Sequence, residues 1–537
     1  MFRFLRRVVV DHAAAERLGM PVLEYRETRM ARQAAAEPRT FTRRDVLKIG
    51  GAVGAATLFL GNRTAHAAAG PRIAIVGGGI AGLTAALTLA DAGISSTIYE
   101  ATDRVGGRMF SERAYWDGHQ TSEYGGELID TDHTAVRDLC TRLRIGLTDV
   151  HEAAPKNSQD VLFFEGGYRT HKEFVEDFRP VYKALQDDVA EAPDFPTWNA
   201  STPESTALSN MSVHEWIATR VPGGYGTWFA RFLDMAYVVE YGRETAQQTA
   251  VNLVYMMVDQ EDLENPSIWG ASDERFHITG GNQRLPEAVA ATLPKGTVQH
   301  GYDLEAVVRN TDGTQTLKFH GRKPVTVDRT VLTVPLGVLQ RIDHTRAGFD
   351  PRMKQAIRTL TMGFCTKLNM QFTDRPWLGR GPWPGIANGA SFSDTGYQEV
   401  WDATAGQAGR QGIAIQYGGG NGALEYQPGK PFLTAKDPYV RQAVQRRLAQ
   451  YEQVVPGITR RWTGKATLAA WHENPYSRGA YSCYPVGYCH RFAGYEGTRQ
   501  GNIHIAGEHT SVDSQGYMNG GVESGARAAQ EILADIR

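Results

Sequence analysis

The sequence predicts an α/β protein, in which a doubly wound β–α–β unit is joined to an interleaved α+β domain and a helical part. Three observations predict it. The β-branched run Arg72-Ile73-Ala74-Ile75-Val76 leads into Gly77-Gly78-Gly79-Ile80-Ala81-Gly82, and Leu83 to Ala92 then follows with helical spacing. A second strand, Ser96-Thr97-Ile98-Tyr99, ends on Glu100. Further on, helical stretches at 134–143, 172–190 and 437–454 flank a Val-, Thr- and Leu-rich alternating stretch at 297–338, where sheet is expected. A Pro/Ser/Thr-rich loop is expected at 193–205, followed by helix to about Asp262.

A chain of 537 residues exceeds one compact core, so two or three domains are expected. With 42% hydrophobic and 22% charged residues it is an ordinary globular composition, and its 58 glycines follow no fixed period. The first 67 residues hold 12 Lys+Arg and 6 Asp+Glu; without them the balance is 45 against 53, a formal −8. A mildly acidic body argues against nucleic acid as partner. Cys140, Cys365, Cys483 and Cys489 show no CxxC or zinc spacing, so buried free thiols are expected and no metal site. No nucleophile elbow or Walker loop is present to support a hydrolase or a nucleotidase.

The leader has its own pattern. Thr42-Arg43-Arg44-Asp45-Val46-Leu47-Lys48 precedes an apolar run from Ile49 to Leu60, and Ala65-His66-Ala67 has the small residues of a cleavage site. Twelve apolar residues are short for a bilayer span, so no membrane anchor is expected. The paired arginines look like a twin-arginine signal, which implies an exported, periplasmic or secreted protein that folds around its cofactor first. Nothing in the sequence accounts for the 41 residues before Thr42.

In the first β–α–β unit, Gly77, Gly79 and Gly82 occupy the three positions of G-x-G-x-x-G. They serve the tight turn, the approach of a pyrophosphate and close helix–strand packing, in that order. The helix start at Ile80 and Ala81 offers N–H groups and a positive dipole end to phosphate. Glu100, 18 residues after Gly82 and followed by Ala101, stands where a ribose hydroxyl is accepted. Next comes Arg104-Val105-Gly106-Gly107-Arg108, whose Arg108 faces phosphate from the other side. Near the C-terminus, Asn502 to Gly507 is a strand ending on Glu508, and Gly516-Tyr517-Met518-Asn519-Gly520-Gly521 opens a small-residue helix.

These segments together resemble the flavin-containing monoamine, polyamine and L-amino acid oxidases over most of residues 71–537. The resemblance implies a Rossmann-like, glutathione-reductase-like FAD-binding domain of the amine oxidase type. That domain would be assembled from 71–130, 280–345 and 465–537, with the substrate-binding and helical domain from 131–279 and 346–464. Residues 1–67 would be signal and extension. It further implies that Glu508 faces the ribityl chain, that Gly516, Tyr517 and Met518 meet the flavin, and that Val307 contacts adenine through its backbone. Gly125-Gly126-Glu127-Leu128 and Trp471 are expected beside the cofactor. Where covalent relatives have a cysteine before the tyrosine matching Tyr481, this chain has Ala480, so non-covalent FAD is expected.

For chemistry, the resemblance implies that Lys367, in Thr366-Lys367-Leu368-Asn369-Met370, holds a water near flavin N5, and that Tyr481 and Tyr517 clamp the substrate amine. Hydride would pass from the carbon next to nitrogen to FAD and the electrons to O2, giving imine, then carbonyl, ammonia and H2O2. Family members that act on L-amino acids carry an arginine that binds the substrate carboxylate; Leu128 stands at that position, preceded by Glu127. A cationic substrate attracted by Glu127 is therefore expected: an amine or diamine, or a basic L-amino acid whose carboxylate Arg478 takes. A homodimer is admitted as the assembly. The competing functions are an FAD dehydrogenase or desaturase with another electron acceptor, and a non-catalytic FAD-binding protein.

Overall fold

The structure, a computed structural model, describes residues 70–511 and 513–536. The expected leader, with Arg43 and Arg44, lies outside the described residues. Residues from Pro71 onward form one compact unit.

Five short strands make a wholly parallel sheet, in the order Ile503–Ile505, Arg329–Leu332, Ile73–Val76, Thr97–Glu100, Val298–His300. The central strand Ile73–Val76 is buried along its whole length, which is why it reads as an unbroken apolar run rather than an alternation. Gly77, at φ 109°, turns the chain into the helix Ile80–Asp91. A Cβ on Gly82 would stand 2.0 Å from the Gly77 carbonyl oxygen, so the helix meets the turn closely. The last helix, Met518–Ile536, packs across this one by the same device. Cβ atoms on Gly521 and Gly525 would lie 2.8 Å from Ile80 Cγ2 and 2.2 Å from the Ala81 carbonyl oxygen.

The second layer is an eight-stranded mixed sheet. Its centre is Cys365–Phe372, buried at every residue and antiparallel to both Gly412–Gly419 and Trp462–Ala470. Residues 465–470, expected in the dinucleotide-binding domain, therefore belong to this sheet, because their backbone pairs with 366–370. A smaller antiparallel sheet, Leu304–Arg309 with Gln315–Phe319 and Val325–Val327, fills the stretch where sheet is expected. The helical part contains His171–Glu191, started by a Thr170/Glu173 capping box, and Trp228–Tyr241, ended by Gly242 at φ 64°. Helix in the 203–262 stretch is broken into four pieces and ends at Met257. All four cysteines are buried and free. No helix among the described residues is long and apolar enough to cross a membrane.

Candidate active site

A groove of about 190 Å³ runs along the C-terminal edge of the parallel sheet, and a cavity of about 580 Å³ lies under the mixed sheet. They are contiguous: Arg108, Gly126, Trp471 and Ala480 line both, as do Tyr481, Gly516, Tyr517 and Met518.

The groove starts at the glycine turn. Gly77, Gly79, Ile80 and Ala81 line it, with Glu100, Ala101 and Gly107 opposite. Gly82 does not line it; its part is the close packing described above. Gly79 caps the helix without any side-chain hydrogen bond, and a Cβ there would meet nothing within 4 Å. The helix N-terminus therefore faces open space with its first N–H groups uncapped by side chains, which suits the pyrophosphate of a dinucleotide. The Glu100 carboxylate accepts from the Gly78 N–H at 2.6 Å and from the Thr102 N–H and hydroxyl at 2.8 and 2.7 Å, which fixes it at the groove wall. At the far end Arg108 Nη1 donates to Glu508 Oε1 and to the Ala480 carbonyl, both at 2.8 Å. Burial pushes the Glu508 carboxyl up, but Arg108, His509 and Ser482 outweigh it and leave its pKa below the usual carboxylate value. These residues fit FAD.

One cofactor expectation needs correction. Val307 does not line the groove: it is fully buried, and its N–H donates to the Asp343 carbonyl at 2.9 Å. Tyr302, Asp303 and Leu304, at the start of the same strand, line the groove instead.

In the cavity, the strand Cys365–Phe372 aims Lys367 at the segment Gly125 to Leu128, all of which lines the wall. Lys367 Nζ donates to Glu127 Oε2 at 2.6 Å and to the Gly125 carbonyl at 2.9 Å, with both charged side chains 8% exposed. Trp401 Nε1 donates to Glu127 Oε1 at 3.2 Å, and the ammonium lies 5.2 Å from the Trp401 ring centre. Glu127 is thus not a free carboxylate awaiting a substrate cation. Its charge is spent on Lys367, a partner 240 residues away in sequence. Arg478 also departs from expectation: it lines neither groove nor cavity, although Ser477 and Ala480 of the same loop line the groove, and its backbone sits at φ 59°. Among the described residues lining the cavity, the cationic side chains are Arg108 and Lys367, and both are paired.

Tyr481 and Tyr517 both line the junction of groove and cavity. They make no ring contact with each other among the described residues; Glu240 ties them together. The Tyr481 hydroxyl donates to the Glu240 carbonyl and lies 3.1 Å from the Tyr417 hydroxyl, while the Tyr517 hydroxyl donates to Glu240 Oε1 at 3.3 Å. Trp471 backs the junction, its Nε1 donating to the Tyr124 carbonyl at 2.6 Å. Burial pushes the Glu240 carboxyl up to about 7 against the Tyr517 hydrogen bond.

Sequence reasoning missed Glu240, Glu274, Glu399, Trp401 and Tyr417, all on the cavity wall. Glu240 carried a signal: an acid in the last turn of a helix whose preceding residues Met235 to Val239 are all apolar or aromatic, where the helix dipole disfavours it. Trp401 and Tyr417 carried none, being aromatic residues in strands like many others.

The sequence pattern of the flavin-containing amine oxidoreductases matches residues 80–533. The chain belongs to that family. It is an amine-oxidising flavoenzyme, and FAD is its cofactor. Similar curated proteins include the L-amino-acid oxidase of Mus musculus, 25% identical over 86% of this chain and 70% of that protein. The L-amino acid dehydrogenase of Synechocystis is 23% identical over 86% and 94%. Polyamine oxidase 4 of Oryza sativa is 22% identical over 87% and 89%. Among solved structures, putrescine oxidase bound to putrescine superposes with a TM-score of 0.70 at 21% identity, covering 86% of this chain and 99% of that one. Cyclohexylamine oxidase of Brevibacterium oxydans gives 0.70 at 21%, covering 87% and 99%. At that identity the likeness establishes the fold.

Proposed function

We propose that this amine oxidoreductase is an exported oxidase that deaminates a primary amine, with non-covalent FAD and with O2 as electron acceptor. The observation that carries the reading is the junction itself, where the groove suited to FAD opens into the cavity bordered by Tyr481, Tyr517, Trp471 and Lys367.

FAD supplies the hydride acceptor there and the route of the electrons to oxygen. The chain's own residues do the rest. Tyr481 and Tyr517, held by Glu240, border the junction and orient the amine by their faces. Lys367 uses two of its three N–H groups on Glu127 and Gly125, and the third is left to order a water at the reacting face. Loss of hydride from the carbon next to nitrogen of the neutral amine leaves a protonated imine, which water hydrolyses to a carbonyl compound and ammonia, with release of the proton. An amine is favoured over an amino acid because the described cavity wall offers a substrate carboxylate no unpaired cation. Non-covalent binding rests on Ala480 and on Cys483 being buried away from groove and cavity, so acid precipitation releases the yellow chromophore into the supernatant.

The test is a paired assay of peroxide and ammonia with tyramine, putrescine, L-arginine and L-leucine, run with air and with a quinone as acceptor. The reading expects peroxide and ammonia in equal amounts from the amines. Turnover confined to the quinone arm would make the chain a dehydrogenase, as the Synechocystis relative is named.

A further inference from the structure

Two buried residues beside the junction have no part in the reaction as derived so far. Asp130 and His133 follow the Gly125 to Leu128 segment and are 4% and 5% exposed. No arginine or lysine pairs with Asp130 among the described residues, so neutral donors alone offset the burial of its charge. Its Oδ2 accepts from Ser272 Oγ at 2.8 Å and its Oδ1 from the Glu274 N–H at 2.9 Å. Ser272 and Glu274 both line the cavity, so this carboxylate fixes a piece of the cavity wall.

His133 carries the hold to the flavin side. Its Nδ1 accepts from the Asp130 N–H at 3.0 Å, and burial lowers the ring's pKa and keeps it neutral. Nε2 therefore bears the hydrogen, and it faces Asp130 Oδ2 at 3.4 Å. Held at both nitrogens by one residue, the ring lies 4.8 Å from the Tyr517 ring, tilted by 56°. At its other end Tyr517 has its hydroxyl on Glu240. Asn519, two residues on, accepts from the Val136 N–H at 3.0 Å, which pins the helix Thr134–Arg142, started by His133, beside the Tyr517 segment.

We infer that Asp130 and His133 are positioning residues for Tyr517. Asp130 sets the tautomer and orientation of His133, and His133 holds the Tyr517 ring at the angle that places the amine for hydride transfer. The inference rests on Tyr517 bordering the amine, as proposed above. Its signature is in rate rather than affinity, because a displaced ring still meets the amine but aligns it less often.

The experiment measures the limiting rate of anaerobic flavin reduction by putrescine and by tyramine on the FAD-loaded enzyme, with amine Kd from the concentration dependence. Asp130→Asn keeps an oxygen for the Glu274 N–H and turns an NH2 against the Nε2–H of His133. The limiting rate is expected to fall by about ten- to a hundredfold, while amine Kd, FAD affinity and melting temperature stay near wild type. In a Tyr517→Ala background, with no ring to hold, the same substitution is expected to leave the rate unchanged. His133→Gln keeps an acceptor for the Asp130 N–H but removes the ring, and makes the same comparison should Asp130→Asn not fold. A wild-type rate in the folded variant overturns the inference while leaving amine oxidation standing. So does an equal fold-loss in both backgrounds, the mark of a purely structural role. A wild-type flavin that neither amine reduces overturns the amine reading, and this inference with it.

Discussion

The 2.6 Å pair of Lys367 and Glu127 makes two roles of one lysine separable. Removing the ammonium in Lys367→Met strands a buried carboxylate, a loss of roughly 3–5 kcal/mol in stability. It also takes away the group that orders water at the reacting face, so kcat falls by about tenfold or more. Lys367→Met/Glu127→Gln has no stranded charge: its melting temperature returns toward wild type while turnover stays slow. Turnover that recovers with stability would reduce Lys367 to a structural residue. Nearby, Glu123 accepts from Ser111 Oγ at 2.7 Å and the Asn282 N–H at 2.8 Å, and burial pushes its carboxyl up to about 8. The folded protein keeps this proton up to about pH 8, whereas the unfolded chain releases it near the ordinary glutamate value. Folding thus takes up a proton between those limits, and Glu123 costs stability as pH rises through them. Glu123→Gln mimics the protonated form, so the fall of melting temperature over that window is expected to flatten; an unchanged slope would show that Glu123 ionises normally. Residue types and local motifs were legible in the sequence, as Lys367, Tyr481 and Tyr517 show by lining one cavity. Charge pairing was not. Glu127 was singled out for its charge, and that charge is cancelled across 240 residues, a distance no local pattern records.

Helices and the glycine turn were legible because their signals are local. The stretches 134–143, 172–190 and 437–454 appear as Thr134–Arg142, His171–Glu191 and Pro438–Tyr451, since 3.6-residue periodicity needs no knowledge of the partner. The order of the eight-stranded sheet had no such signal: Gln159–Phe164 lies parallel to Ala387–Ser393, and backbone pairing over that separation leaves no mark in either segment. The glycine turn offers a clean contrast. Gly79→Ala puts its methyl into open groove at an ordinary φ of −71°, so the apoprotein keeps its melting temperature while FAD affinity falls. Gly82→Ala sets a methyl 2.0 Å from the Gly77 carbonyl oxygen, where backbone must move, so stability and FAD binding fall together. Equal behaviour of the two variants in thermal melts and FAD titration would contradict these separate roles.

For the whole molecule, two separated chain ends build one cofactor site: Arg108 and Glu508, 400 residues apart, meet at 2.8 Å. A site closed in this way is complete only once both segments are in place, which suits the proposed export of a finished protein. Replacing Arg43 and Arg44 with lysine is expected to hold active, FAD-loaded enzyme in the cytoplasm, and unchanged export would mean that the leader uses another route. The proposed function is amine oxidation with FAD in the cavity beside Tyr481, Tyr517 and Lys367. It is tested most directly by mixing the FAD-loaded protein with putrescine in the absence of oxygen. The yellow absorbance is expected to bleach in a single turnover and to return in air, with one peroxide and one ammonia formed per flavin. Absorbance that stays oxidised with putrescine, tyramine and n-pentylamine alike would contradict it.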